Sequence, residues 1–352
     1  MKKASFILVL FTVLLLSGCQ NTDNTLYVLN WGEYMDMDLV AEFEEMYDVT
    51  VVYEEVGSNE EMEVKIKSGV TNYDVAFPSD YMIDKLRQQD LLNEIDMDLL
   101  DGFNDVSLMS EVTGLYDTEG YGPYFVPYFF GTIGIMYNTD SVDEADLTGW
   151  DILFTNDHGY KIGMYDSARD AIASALLYLN EDVNTADETV LEAAKAAMMN
   201  TSYEVFGEDN LKSLVQTGNL DLALVYSGDY FDQMYQVEAD GEELTFGYFV
   251  PEKTNIWVDG FVIPTTSQNT DLAHDFINFF LNVDRSVQNA DWVGYAPVLQ
   301  EVYDVMVSDQ YGYDYDHYHP YPEGSERVMY RYISEDRFTL LNDILNEVKA
   351  NQ

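Results

Sequence analysis

The sequence predicts an α/β protein built as two lobes. Three observations lead there. Short apolar runs rich in β-branched and aromatic residues alternate with stretches of helical periodicity. The alternation occurs twice, on either side of residues 124–138, where two extended runs meet at glycines. The chain, at 352 residues, is also long enough for two cores. Strand alternating with helix gives each lobe a mostly parallel sheet flanked by helices, with crossovers between the lobes.

The elements follow in order. Residues 26–30 read as the first strand, ending at Trp31. Residues 38–46 read as a helix, with Leu39, Val40, Phe43 and Met46 on one side and acids on the other. Residues 50–55 are the second strand. Ser58 with Glu61 three positions on makes a capping box, and the helix it opens ends at Gly69. Residues 73–77 are the third strand, closed by Pro78. Ser79 then caps a helix carrying Tyr81, Ile83 and Leu86. Beyond the crossover, a strand at 161–165 precedes helices at 168–179 and 189–199. A strand at 220–226 feeds a helix at 229–237, and another strand spans 244–250. The extended segment 256–264 returns the chain to the first lobe. Helices at 272–281 and 285–291 and a terminal helix at 336–349 complete the order. Residues 311–321, dense in Tyr, Asp and His, are a low-complexity patch. No solenoid-type repeat is present. The expected division is 1–18 leader, 19–25 tether, 26–132 with 257–303 as lobe 1, and 133–256 with 304–352 as lobe 2.

With 65 Asp+Glu against 16 Lys+Arg, the formal net charge is -49. Nucleic-acid binding needs a basic surface and is excluded. Adhesion to anionic lipid by charge alone is disfavoured. Such acidity is mainly a solubility adaptation and favours a cationic ligand only weakly. At the N-terminus, Met1-Lys2-Lys3 precedes an apolar run at 4–16, too short to span a bilayer. Leu16-Ser17-Gly18-Cys19 follows and resembles a bacterial lipobox. That resemblance implies cleavage before Cys19, a lipid on its sulfur, and an extracytoplasmic address at the outer face of the cell membrane. Cys19 is the only cysteine, so no disulfide supports the fold.

Four polar-aromatic clusters fall at the carboxyl ends of predicted strands, just before helices. They are Trp31-Gly32-Glu33-Tyr34, Ser79-Asp80-Tyr81, Asp166-Ser167-Ala168-Arg169-Asp170 and Tyr226-Ser227-Gly228-Asp229. In open parallel sheets that edge binds ligands. Trp257 and Asp259, two apart in an extended segment, share a face and present an indole beside a carboxylate. The pairing suits a ligand both apolar and positively charged. Plainer readings exist for each. Ser79 and Ser167 serve equally as N-caps, with Asp170 the third-position acid of a capping box. Asp229 is stabilised by a helix dipole in any case. Trp31 and Trp257 also read as core, and Tyr226 as a strand end. Bare helix N-termini favour anions, so a cation site there needs acids placed on them, here Glu33, Asp170, Asp229 and Asp259. A multiply charged amine needs several carboxylates around one cleft.

Six segments in order carry a family resemblance. They are residues 29–34, 73–81, 166–170 and 226–229, then Trp257-Val258-Asp259 and Val293-Gly294-Tyr295. The chain from about Leu26 to Lys349 resembles the spermidine/putrescine-binding proteins of bacterial ABC importers. The resemblance implies a two-lobed type II periplasmic-binding-protein fold, a monomer that is not an enzyme, no cofactor or resident metal, and delivery of a polyamine to a permease. It implies that Trp31, Tyr34, Tyr226, Trp257 and Tyr295 wall the methylene chain. Asp259 and Asp229 would take ammonium groups, Asp170 the amine on the second lobe's side, and Glu33 the amine toward the first. Ser79 and Tyr81 would add hydrogen bonds. Some members carry an acid where Ser167 stands or a Trp where Tyr226 stands, which leaves putrescine against spermidine open; both are expected to bind.

Two other readings compete. A carrier of ferric ion or another cation would use the 28 tyrosines and the cluster Asp314, Asp316, His317 and His319, which reads otherwise as a solvated loop. A hydrolase with paired carboxylates is the second. Neither G-x-S-x-G nor H-E-x-x-H occurs, and His158 and His274 read as isolated surface or loop residues.

Overall fold

The computed structural model describes residues 24–104, 107–110, 112–113, 122–155, 157–311 and 324–352. The leader with Cys19, and Asp314, Asp316, His317 and His319, lie outside the described residues. Strand β1 (Thr25–Trp31) lies between β2 (Thr50–Val56) and β3 (Val75–Ala76), all parallel. Helices Met37–Tyr47, Asn59–Ser68 and Asp80–Gln88 follow these strands. Their ends match the sequence signals. Ser58 Oγ accepts the Glu61 N–H, and Gly69 closes the same helix in the left-handed conformation.

The chain leaves this region through β4 (Val126–Gly131) and continues as β5 (Ile133–Asn138), with only the buried Thr132 between them. β5 enters a five-stranded sheet with β6 (Ile162–Tyr165), β7 (Tyr203–Gly207), β8 (Leu222–Tyr226) and β9 (Phe246–Phe249), in the order β7-β6-β8-β5-β9. The return path is β10 (Lys253–Phe261). Its first residues run parallel to β12 (Glu326–Met329), and residues 257–261 pair antiparallel with β4, whose other neighbour is β11 (Ala296–Pro297). The two crossings are stitched together. Ile133 N–H donates to Asn255 Oδ1 at 2.7 Å, and Thr254 Oγ1 donates to the Ile133 carbonyl at 3.1 Å. Pairing is parallel within β1–β3 and β6–β8. β5 runs antiparallel to β8 and β9, and β10 antiparallel to β4.

Isolated bridges join Ala76 to Val262 and Ser79 to Asp259. They extend the β1 sheet onto the end of β10 and set the third-strand cluster against the Trp257 segment.

Several details differ from the sequence reading. β7 and helix Asn210–Gln216 were not anticipated; both are short, and β7 has a single fully buried residue, Tyr203. β10 starts at Lys253, so the segment is longer than its apolar centre. The helix expected from 229 begins at Ser227, with Tyr226 as N-cap. His274 is not a surface or loop residue. It is buried on helix Thr270–Phe280, as are Ala273, Phe276, Ile277, Phe279 and Phe280 of the same helix. There Nε2 accepts the Asp96 N–H at 2.9 Å, so Nδ1 carries the proton toward the Thr270 carbonyl at 2.7 Å. Among the described residues, no helix is long and apolar enough to cross a membrane.

Candidate functional site

The site is built where the two crossings pass between the sheets. Trp257 stands opposite Gly131 on β4, and Asp259 opposite Phe129. A side chain at Gly131 would collide with the Trp257 indole and with Ser227 Oγ, so the ring lies against bare backbone. Gly228, near the start of helix Ser227–Asp240, plays the same part for Tyr295. Tyr295 follows Gly294, whose φ of +81° ends helix Val283–Val293 and turns the chain toward the crossing.

The rings meet edge to face. Centroids lie 5.5 Å apart for Tyr34 and Tyr295, 5.3 Å for Tyr295 and Trp257, and 6.0 Å for Trp257 and Tyr226. These four residues form one continuous aromatic seam from β1's loop to the end of β8. Trp31 is half-buried, and its Nε1 is buried with no hydrogen-bond acceptor.

Asp259 is 6% exposed, and its Oδ1 has no hydrogen-bond donor. Burial pushes its carboxyl up to about 6, while the hydroxyls of Ser79 and Tyr34 and the charge of Arg169 oppose the rise. Ser79 occupies an N-cap position, yet its side chain makes no cap hydrogen bond. Asn59 clamps it instead: Asn59 Nδ2 donates to Ser79 Oγ, and Ser79 N–H donates to Asn59 Oδ1, each at 3.0 Å. The hydroxyl proton is thereby free to turn to Asp259.

Asp229 is also buried. Its Oδ2 accepts the Tyr226 N–H at 3.2 Å, and Lys212 Nζ lies 3.9 Å from Oδ1. Burial raises this carboxyl to about 7 against the pull of Lys212.

Asp170 differs from the open acceptor expected. Its Oδ2 accepts hydrogen bonds from Ser167 Oγ at 2.6 Å, Tyr226 hydroxyl at 2.8 Å and Arg169 Nη2 at 3.1 Å. The sequence places a guanidinium next to the carboxylate, and a buried acid takes the nearest cation. Ser167 both caps its helix and bonds this carboxylate. Tyr81 is buried, its hydroxyl donating to Glu60 Oε1 at 2.9 Å, with the Arg169 guanidinium 4.2 Å from its ring centroid. Glu33 is exposed, in the left-handed conformation at φ +51°.

Sequence reading passed over Asp80, Arg169 and Tyr330. Asp80 is 1% exposed; Oδ1 accepts the Tyr81 N–H at 2.6 Å and Oδ2 has no partner. Burial lifts its carboxyl to about 8, with Arg169 opposing and Asp259 adding to the rise. Its position between two candidate residues was a usable signal, masked because a first-turn acid is ordinary in a helix. Tyr330 lies far along the chain, and its ring stacks 4.9 Å from Arg169. A small apolar cavity under Tyr128, Phe129, Phe261 and Phe280 belongs to the core rather than this seam. Among the described residues, no group of three or more His, Cys, Asp or Glu is placed to hold a metal ion.

Two α/β units joined by crossing strands, with buried rings and carboxylates between them, define a two-lobed solute-binding protein of the type II periplasmic fold. Comparison with known proteins agrees. The sequence pattern of the bacterial extracellular solute-binding proteins matches residues 38–314. The spermidine/putrescine-binding periplasmic protein of Salmonella typhimurium is 31% identical over 287 residues, covering 80% of this chain and 79% of its own. The chain belongs to the bacterial extracellular solute-binding protein family. Among solved structures, a spermidine/putrescine ABC transporter substrate-binding protein from Streptococcus pneumoniae superposes with a TM-score of 0.77 at 30% identity, over 93% of this chain and 99% of that one. A lipoprotein of Treponema pallidum gives 0.78 at 26% identity, over 92% and 99%.

Proposed function

We propose that this protein captures a linear polyamine, putrescine or spermidine, between its lobes and delivers it to the permease of an ABC importer. The observation that carries the reading is Asp259, a buried carboxylate with one oxygen lacking a donor, set beside the Tyr34, Tyr295 and Trp257 rings. An ammonium supplies the missing donors, and the rings cover the methylenes. The names of the relatives point to the same ligand class.

In this reading residues 26–132 and 257–303 form lobe 1, and 133–256 and 304–352 form lobe 2. Trp31, Tyr34, Tyr226, Trp257 and Tyr295 wall the chain. Asp259 and Asp229 receive ammonium groups, Ser79 and Tyr81 orient them, and Glu33 stands toward the first-lobe end. Ser167 and Asp170 act from the other end through Arg169. Asp80 stands near Asp259 as a buried carboxyl with one oxygen lacking a partner. Closure around ligand is the general hinge behaviour of periplasmic binding proteins. Cys19 carries the lipid that tethers a monomer at the outer face of the membrane. Calorimetry with putrescine and spermidine, beside lysine and ferric salt, tests the reading. Saturable binding of a polyamine alone is expected; heat only from lysine or iron would sink it.

A further inference from the structure

We propose that Arg169 sets the length and charge of the ligand, as a built-in cation that closes one end of the cleft. The inference rests on the polyamine reading above. Arg169 Nη2 lies 3.1 Å from Asp170 Oδ2 and 3.3 Å from the Tyr226 hydroxyl. Tyr226 packs edge to face on Trp257 and, on its other side, on Tyr165 at 4.9 Å, so the guanidinium meets the row of rings at Tyr226. Its faces are held by Tyr81, from the helix after β3, and by Tyr330, which directly follows β12. Two rings within cation–π distance and a bonded carboxylate hold the group in one place.

Arg169 also lines a pocket together with Glu60, Lys85, Arg331 and Arg337. In a chain of net charge -49, cationic lining residues there outnumber acidic ones. Lys85 is paired, with Glu63 at 2.8 Å and Glu335 at 2.7 Å. Arg337 donates to the carbonyls of Thr185 and Val183 and lies within the field of Asp182. A ligand ammonium that reached Arg169 would meet the guanidinium's positive charge. It would also find Asp170 already compensated. Asp259 and Asp80 each keep one buried carboxylate oxygen without a hydrogen-bond partner, whereas Asp229 already has Lys212 and the Tyr226 N–H beside it. Burying an ammonium without a paired carboxylate is costly, so the arrangement favours a short dication over a longer trication.

The test is calorimetry of wild type and R169Q with putrescine, spermidine and diamines of increasing length. Wild type is expected to prefer the short diamine and to lose affinity beyond an optimum length. In R169Q, Asp170 becomes available to a third ammonium, and the spermidine-to-putrescine affinity ratio should rise about tenfold. Wild type preferring spermidine overturns the inference. So does an R169Q ratio that stays put while both affinities fall together, the mark of a merely structural residue. If R169Q does not fold, the wild-type length series decides, because affinity independent of diamine length removes the end wall. Wild type binding no polyamine at all sinks the functional reading itself, a result distinct from binding with an unaltered ratio.

Discussion

The phenol ring of Tyr295 fills the space that a side chain at Gly228 would need. Glycine inside a helix costs roughly 0.5–1 kcal/mol against alanine, so this position gives up helix stability to bring a ring onto the backbone. Gly228→Ala should therefore displace Tyr295 and weaken polyamine binding about tenfold or more, equivalent to about 1.4 kcal/mol. Calorimetry reads the affinity, and circular dichroism checks that the helix persists. Unchanged affinity would take Tyr295 out of the wall.

Asp259→Asn keeps shape and removes charge. A charge-assisted hydrogen bond to an ammonium is worth about 1.5–3 kcal/mol, so polyamine affinity should fall by that amount. The ligand-free protein should melt no lower than wild type, because the substituted group is a buried carboxyl whose ionised form the fold disfavours. A large fall in melting temperature without ligand would mean that Asp259 mainly supports the fold.

The buried acids give an unusual pH dependence. Burial raises Asp259 to about 6, Asp229 to about 7 and Asp80 to about 8, all above their unfolded values. Between those limits the native state holds more protons than the unfolded chain, so stability falls as pH rises. The contribution is complete below the unfolded carboxyl range and is lost as pH climbs through the folded values. Cation binding has the opposite sign, because it selects ionised carboxylates, and affinity should increase with pH over the same window. Melting curves from pH 5 to 9, with and without putrescine, should diverge at the alkaline end. Flat ligand-free curves, or no flattening in the triple Asn variant of the three acids, would contradict this.

Much of this was legible from the chain because local signals and burial agreed. Ser58, Gly69 and the β1 run state their elements through capping and periodicity. Trp257 and Asp259 could be paired because strand periodicity fixes which residues share a face. Asp170 shows where such reading stops. Its motif carries the acid and the guanidinium side by side, and which cation the acid takes depends on Tyr81 and Tyr330, brought in from far along the chain. Asp80 shows the same limit: exposed first-turn acids and buried ones look alike in sequence. His274 was misplaced because its apolar neighbours, not its own polarity, carry it inside.

The last relationship concerns closure. Lys85, on helix Asp80–Gln88, bonds Glu63 nearby and Glu335 on the C-terminal helix Glu335–Ala350, at 2.8 Å and 2.7 Å. The pair is lopsided: the Lys85 side chain is 5% exposed and that of Glu335 is 57%. A bridge with one end in solvent is worth about 0.2–1 kcal/mol, so Glu335→Gln should cost less than about fivefold in affinity. Under the proposed division Lys85 belongs to lobe 1 and Glu335 to lobe 2, so the loss should appear as faster ligand release. Raising the salt should speed release from wild type toward the variant, because screening acts on the exposed end. Lys85→Met is a different experiment. It leaves the buried Glu63 with Lys67 alone, and breaking a buried pair costs about 3–5 kcal/mol at the upper end, so the melting temperature should drop even without ligand. Stopped-flow release of putrescine, followed by tryptophan fluorescence, separates the two. If Glu335→Gln leaves release unchanged at low salt, the Lys85 bridge has no part in holding the lobes together.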